Sequence, residues 1–342
     1  MSAAIDIDAG ALARWLDANL DGLSGPLEVE KFPGGQSNPT YRVSTAGRAV
    51  VLRRKPFGQL LPSAHAVDRE YRLIAALHPA GFPVPRPLAL CSDAGVIGSA
   101  FYVMELVEGR IAWDGTLPDL RPTERRTAYE NAIGTLARLH SLDHVALGLA
   151  DFGRPGNFFA RQVDRWIRQY RAAETAGIPA MERLIAWLPG TIPEQTRASI
   201  VHGDFRLDNL VGGPGGEVRA VLDWELSTIG DPLADFTYFA MQWVLPADGH
   251  AGLAGTDFAA TGIPTLDEAV ALYYAGTGRR DLPDLHWYFS YNLFRLVGIL
   301  QGVRKRMLQG NASSAAAASA AARVEPLADA AWEQARHAGA TT

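Results

Sequence analysis

The segment His202-Gly203-Asp204-Phe205-Arg206-Leu207-Asp208-Asn209 supplies a carboxylate, Asp204, and an amide, Asn209, five residues later. Downstream, the apolar run Val221-Leu222 ends in Asp223, followed by Trp224 and Glu225. Phosphoryl transfer to a hydroxyl uses such a set. One carboxylate orients and deprotonates the attacking O–H. An amide oxygen and a second carboxylate hold a hard divalent cation against nucleotide phosphates. Asp204 is therefore the candidate base, with Asn209 and Asp223 as candidate Mg²⁺ ligands. His202 reads as a partner of the base that orients the loop by hydrogen bonding. Asp208 either supports Asn209 or is solvated. Asp and Asn are also common turn formers, which accounts for either segment alone better than for both together. The cluster of His202 with several Asp residues also fits a metallohydrolase, but the second histidine expected of most zinc sites is missing.

These groups need elements to position them. Residues 8–20 carry an amphipathic helical stripe of Leu12, Trp15, Leu16 and Leu20. Strands are expected over Leu27–Phe32, Thr40–Ser44, Ala49–Lys55 and Phe101–Leu106. Ser63 is the expected N-cap of a helix running to about Leu77, with Val67, Tyr71, Ile74 and Leu77 on its apolar stripe. Glu70 lies on that stripe, and a carboxylate on a buried face wants a cationic partner. Val51, Arg53 and Lys55 share one face of their strand, so Arg53 or Lys55 could pair with Glu70. Such a strand–helix ion pair positions ATP in protein kinases. The turn Gly34-Gly35-Gln36-Ser37-Asn38 could lay backbone N–H groups over phosphates, with Ser37 and Asn38 as contacts. It lacks the full G-x-G-x-x-G spacing, and an ordinary hairpin turn explains it too.

Beyond Val107–Gly109 long helical patterns take over, including Glu124–Leu142 and Phe158–Thr175. This divides the chain into an N-terminal lobe, residues 1–107, and a C-terminal lobe, residues 108–342. Short strands flank the His202–Asn209 segment, and Val218–Leu222 leads to Asp223. Gly230-Asp231-Pro232-Leu233-Ala234-Asp235 starts a helix that Asp231 could cap, with Asp235 supporting the catalytic loop. Asn292–Arg306 is an apolar helix with a basic end. Arg304, Lys305 and Arg306 there complement the helix dipole or meet an anionic substrate. Ala315–Ala322 reads as a helix.

At 342 residues the chain can bury two substantial cores. A net charge of −5 leaves no nucleic-acid footprint. Only Lys31, Lys55 and Lys305 are lysines, so the cations are nearly all arginine. Cys91 is the sole cysteine, which excludes an internal disulfide and fits a reducing, cytoplasmic setting. Neither a signal peptide nor a membrane span is expected.

Together these residues resemble the aminoglycoside phosphotransferase family. The anchors are Val201-His202-Gly203-Asp204 through Asn209, Leu222-Asp223-Trp224-Glu225 and Gly230 through Asp235. Gly34 through Tyr41, Val51 through Pro56, Leu61 through His65 and Phe294-Arg295 through Met307 look like one branch, the kinase-like domain fused to some acyl-CoA dehydrogenases. The resemblance implies an α+β, bilobal, protein-kinase-like fold with a small β-rich N-lobe and a larger, mostly helical C-lobe. It implies ATP or GTP between the lobes, the adenine against the backbone of Glu105 and Val107. It implies Mg²⁺ on Asn209 and Asp223, Asp204 as base, and a small-molecule hydroxyl as acceptor. Arg53 aligns with the family's nucleotide-positioning lysine, leaving Lys55 two residues on. Residues 151–342 carry 21 acidic and 17 basic side chains with no acidic run, which gives a polycationic aminoglycoside no special site. The branch points instead to a hydroxyacyl-CoA or hydroxy acid. A nucleotide-binding scaffold without turnover is the alternative from another class, and intact Asp204, Asn209 and Asp223 speak against it. A protein kinase is disfavoured because no stretch resembles an activation segment closed by Ala-Pro-Glu.

Overall fold

Residues of the N-terminal strands alternate between two faces, and a five-stranded antiparallel sheet results. The computed structural model describes residues 7–32, 38–57, 66–247, 252–280, 283–310 and 315–341. In chain order come α1 (Ala9–Asn19), β1 (Glu28–Lys31), β2 (Thr40–Ser44), β3 (Ala49–Arg54), α2 (Val67–Leu77), β4 (Pro87–Cys91) and β5 (Phe101–Glu105). The sheet order is β1-β2-β3-β5-β4. Val50 and Leu52 of β3 join Tyr41, Val43, Phe101 and Val103 in a core with Leu12 and Leu16 of α1. Val51, Arg53 and Tyr102 alternate with these and belong to the opposite face. Asp8 caps α1 by accepting from the Ala11 N–H at 2.9 Å.

Two details depart from expectation. Helix α2 starts at Val67, with Ala66 at its N-cap and no side-chain cap bond; Ser63 lies outside the described residues. Asp68 and Glu70 in the first turn complement the helix N-terminus instead. The strand β4 was not anticipated. It is a half-buried strand that starts on a proline and carries a register irregularity against β5, so its sequence lacks clean alternation.

The chain forms two compact units that are not consecutive blocks. The first holds Met1–Ile111, His144–Ala150 and Asp208–Ser227, and the second holds the rest. The later segments of the first unit supply β8 (Leu210–Gly212) and β9 (Val218–Val221), which form a three-stranded sheet with β6 (Arg110–Ile111) in the order β6-β8-β9. The Val221 N–H donates to Pro83 O at 2.8 Å, and Trp224 meets the Phe82 ring edge-on at 6.0 Å.

The second unit is mainly helical: α3 (Pro122–Ser141), α4 (Phe158–Ala173), α5 (Pro179–Trp187), α6 (Leu233–Ala240), α7 (Phe258–Thr261), α8 (Leu266–Thr277), α9 (His286–Leu308), α10 (Ala315–Ala322) and α11 (Val324–His337). A two-stranded ladder joins β7 (Ser199–Val201) to β10 (Thr228–Gly230). Every residue of α9 from Trp287 to Arg295 is buried, as befits a helix apolar on all sides. It packs on α4, α6, α10 and α11, while α3 packs on α8. Phe159 of α4 lies 5.2 Å from the Trp287 ring and 5.1 Å from the Tyr291 ring, both edge-on. Truncating such a buried ring costs about 3–5 kcal/mol.

Candidate active site

In the first unit the chemistry gathers around Arg53. Its Nε lies 2.8 Å from Glu70 Oε2, and Glu70 is 2% exposed. The contact is one of charge, because the Nε–H is not aimed along it. Glu70 takes its hydrogen bonds from Asn38 Nδ2 at 2.6 Å and from the Tyr102 hydroxyl at 3.1 Å. The other side of the guanidinium reaches Asp223 Oδ1 at 2.5 Å and Glu225 Oε2 at 3.5 Å. Burial works against the Arg53 charge, but Glu70 and Asp223 outweigh it and hold its pKa above the ordinary value. Burial pushes the Glu70 carboxyl above the usual carboxylate range, against the pull of Arg53.

The sequence left the partner of Glu70 open between Arg53 and Lys55. The geometry pairs it with Arg53. Lys55 follows the end of β3 and meets Asp68 at 3.4 Å in a solvent-exposed contact. Asn38, expected over phosphates, is 1% exposed with its amide on Glu70, because a buried carboxylate needs donors. Ser37 lies outside the described residues. The Glu105 N–H donates to Arg86 O at 2.9 Å, and its side chain pairs with Arg86 Nε at 2.9 Å. Val107 follows on the half-buried stretch after β5.

The β8–β9 hairpin brings the two candidate metal ligands together. The Leu222 N–H donates to Asn209 O at 2.8 Å, continuing the Leu210↔Val221 ladder by one step. Asn209 and Asp223 thus stand at the same end of the hairpin. Asp223 has φ 61°, a left-handed conformation that costs a side-chain-bearing residue about 1–2 kcal/mol. Three carboxylates, Glu70, Asp223 and Glu225, surround the single guanidinium, a surplus of negative charge that a hard cation would offset. Among the described residues no group of three or more His, Cys, Asp or Glu side chains could hold a metal. Asn209 and Asp223 offer two hard oxygens, which suits Mg²⁺ when phosphates supply others.

In the second unit β7 leads into the His202–Asp204 loop. The His202 and Gly203 N–H groups donate to Asp235 Oδ2 and Oδ1 at 2.5 and 2.8 Å. Asp235 lies in the first turn of α6 and also contacts His140 Nε2 at 3.3 Å; His140 Nδ1 sits 2.6 Å from the Tyr273 hydroxyl. Burial alone raises the Asp235 carboxyl, but His140, His202 and the Gly203 N–H outweigh it and hold it below the usual range. Asp235 therefore does support the loop. His202 is fully buried and accepts the Asp204 N–H on Nδ1 at 3.2 Å, which gives it a loop-holding role. Gly203 has φ 88°, a left-handed turn open to glycine. The Asp204 side chain is 26% exposed and lies 3.6 Å from Arg206 Nε. Asp231 accepts the Leu233 N–H at 2.9 Å just before α6. Gly230 must be small: a Cβ there would lie 2.4 Å from the Phe158 ring.

Tyr102, Glu225, Tyr238 and Arg295 were not anticipated as site residues. Tyr102 pairs in register with Arg53 across β3 and β5, a relation that needs the strand pairing. Tyr238 follows Asp235 by three residues on α6, and the Arg295 guanidinium carbon lies 4.9 Å from the centroid of its ring. Arg295 belongs to the apolar helix, where only its charge stood out. At the basic end of that helix, Arg304 pairs with Glu325 and the Lys305 ammonium donates to Ala172 O at 2.7 Å, so these two cations tie helices together.

No helix among the described residues is long and apolar enough to cross a membrane. Acyl-CoA dehydrogenase family member 10 of Mus musculus is 47% identical over 337 residues, 97% of this chain and 32% of the mouse protein. The chain thus spans about a third of the length of that curated relative. The crystal structure of a Ralstonia eutropha JMP134 protein assigned to the aminoglycoside phosphotransferases is 46% identical, covers 97% of this chain and 99% of its own, and superposes with a TM-score of 0.88. At 15% identity, a mutant of aminoglycoside phosphotransferase APH(4)-Ia, solved with AMP-PNP and hygromycin B, shares the fold with a TM-score of 0.60 over 98% of this chain and 100% of its own. The profile described as "Phosphotransferase enzyme family" (APH) matches residues 28–279, and the chain belongs to that family.

Proposed function

We propose that the protein transfers the γ-phosphoryl group of ATP to a hydroxyl of a small molecule, with a hydroxyacyl-CoA or hydroxy acid as acceptor. The observation that carries this reading is the buried Glu70–Arg53 pair whose guanidinium extends to Asp223. A fixed cation beside two oxygen ligands is what a nucleotide triphosphate needs, and an inert fold would gain little from three carboxylates around one arginine. Asn209 and Asp223 would hold Mg²⁺, which supplies charge neutralisation at the phosphates when bound. Arg53 contributes a permanent positive charge on the phosphate side. Asp204 accepts the proton of the acceptor hydroxyl as its oxygen forms a bond to the γ-phosphorus. The bond from that phosphorus to the bridging oxygen breaks, and ADP leaves. Asp235, His202 and Gly203 keep the Asp204 backbone fixed while this happens.

The acceptor class rests on the acyl-CoA dehydrogenase name of the mouse relative and on the even charge of residues 151–342. An antibiotic acceptor is the second reading, favoured by the assignment of the Ralstonia structure. ATP-to-ADP turnover across hydroxyacyl-CoAs, hydroxy acids, sugars, amino alcohols and aminoglycosides separates them, with Asp204→Ala as the blank. Turnover with an acyl class supports the proposal, and turnover with an aminoglycoside alone replaces it. ATP binding without turnover of any acceptor returns the chain to the scaffold reading.

A further inference from the structure

We infer that Tyr273 and His140 form a positioning relay for the His202–Asp204 loop: the Tyr273 hydroxyl fixes which nitrogen of His140 carries the proton, and that N–H steadies Asp235 as it holds the loop backbone. The inference rests on the reading of this loop as catalytic. Three helices of the second unit meet here. His140 lies in the last turn of α3, Tyr273 lies on α8 and Asp235 lies in the first turn of α6. The His140 and Asp235 side chains are each 1% exposed, and Tyr273 is fully buried. The Tyr273 hydroxyl lies 2.6 Å from His140 Nδ1, and His140 Nε2 lies 3.3 Å from Asp235 Oδ2. The same carboxylate takes the His202 N–H on Oδ2 at 2.5 Å and the Gly203 N–H on Oδ1 at 2.8 Å.

Satisfying each of these buried groups selects one arrangement of protons. Among the described residues, His140 Nδ1 is the one hydrogen-bond partner of the Tyr273 hydroxyl. A proton on Nδ1 would donate to the phenol oxygen and leave the phenol's own proton buried without an acceptor. That holds for an imidazolium as well as for the Nδ1–H tautomer, and in the latter an Nε2 lone pair would also face the Asp235 carboxylate. With the O–H donating to Nδ1, the neutral ring carries its proton on Nε2, and that N–H donates to Asp235. Burial pushes the Tyr273 phenol well above the ordinary value, so it keeps the proton it donates. Packing alone does not require this hydroxyl. The Tyr273 ring stacks on Phe236 at 4.0 Å between centroids with 9° between planes, and phenylalanine would stack the same way. Loss of the Nε2 donor frees the Asp235 carboxylate to turn, and the two loop N–H groups lose their fixed direction. Misplacing a reacting group by a fraction of an ångström is enough to slow turnover.

Tyr273→Phe removes the hydroxyl and keeps the ring. Its kcat should fall about threefold to tenfold, with the ATP dissociation constant within about twofold of wild type. His140→Leu removes the donor to Asp235 and should lower kcat further, by about thirtyfold. His140→Gln, whose side-chain amide can donate to Asp235, should restore part of that loss. Two readouts need no turnover. The first is the ¹⁵N spectrum of the ring nitrogens at pH 8, where ordinary histidines are neutral, with His140 identified by its loss in His140→Gln. It should show the Nε2–H tautomer in wild type and a mixture of tautomers in Tyr273→Phe. The second is amide hydrogen exchange at His202 and Gly203, which should quicken about tenfold in Tyr273→Phe and His140→Leu and less in His140→Gln. If wild type turns over no acceptor while these differences are present, the catalytic reading of the loop fails and the relay stands. A wild-type His140 with its proton on Nδ1 or on both nitrogens overturns the inference. So does a Tyr273→Phe protein with unchanged tautomer, exchange and kcat.

Discussion

Around Arg53 one guanidinium holds three carboxylates, side chain to side chain; around Asp204 one carboxylate, Asp235, holds two backbone N–H groups. The first arrangement is built from charge and has negative charge left over. The second is built from backbone geometry, and its central acid is satisfied by donors on several sides. The difference follows from the work proposed for each. A site for Mg²⁺ and phosphates needs a field that changes little as ligands come and go, with spare oxygens for the metal. A general base needs its own carboxylate aimed at a proton, and fixing the chain on either side of it does this without crowding it. Charge substitutions in the first region should therefore act on nucleotide and metal binding. Substitutions in the second should act on turnover.

The largest expected effect is at the base. Asp204→Ala should reduce kcat by about 10³-fold while the ATP dissociation constant, measured calorimetrically, stays within about twofold. Equal losses in binding and turnover would erase the proposed separation between the regions. Next is Glu70→Gln, which leaves Arg53 buried with one carboxylate fewer. A broken buried pair costs about 3–5 kcal/mol, and the contacts of Arg53 with Asp223 and Glu225 should hold the loss near the lower end. The thermal midpoint should fall by several degrees and the KM for ATP should rise about tenfold. A variant with wild-type KM would make the pair purely structural. Asp223→Asn keeps an oxygen but removes a charge, so the Mg²⁺ concentration for half-maximal activity should rise about tenfold with a smaller change in saturated kcat. An unaltered Mg²⁺ dependence would remove Asp223 from the metal site.

Much of this was legible because chemistry forced residue types into short spacings. Asp204, Asn209 and Asp223 announce themselves in two short segments, and Glu70 stands out as a carboxylate on an apolar stripe. The support of the loop by Asp235 was readable from its place in a helix start after Gly230-Asp231-Pro232. Contacts set by tertiary packing were not. Tyr102 reaches Glu70 only once β3 and β5 are in register. Tyr238 and Arg295 come from helices whose residues read as core, and the contact between ring and guanidinium exists only once α6 and α9 pack together. Asn38 read as a phosphate contact in a glycine turn, because nothing local shows that its amide faces a buried carboxylate 32 positions on. The strand β4 escaped because its burial is even along its length, so no period-two pattern marks it.

The finest comparison lies within the second unit, between two buried carboxylates four residues apart. Asp235 is held below the usual range by its donors, whereas burial pushes Asp231 up to about 6 against the Leu233 N–H and the more distant Arg279. The linkage signs are opposite. For Asp235 the folded state favours the carboxylate, so its stabilisation is present above the unfolded pKa and is lost as the pH falls. For Asp231 the folded state binds the proton more tightly, so stability is full below the unfolded pKa of 3.8 and declines as the pH rises to about 6. Above that the penalty is constant, at most about 3 kcal/mol for a shift of this size. Asp231→Asn keeps the oxygen that accepts from Leu233 and removes the charge. Its thermal midpoint should match wild type near pH 4 and exceed it by a few degrees at pH 8. Asp235→Asn should do the reverse, costing more at pH 8 than near pH 4, because it gives up a carboxylate that the fold prefers. A common direction of change in the two variants would mean that the donors around Asp235 do not set it apart from its buried neighbour.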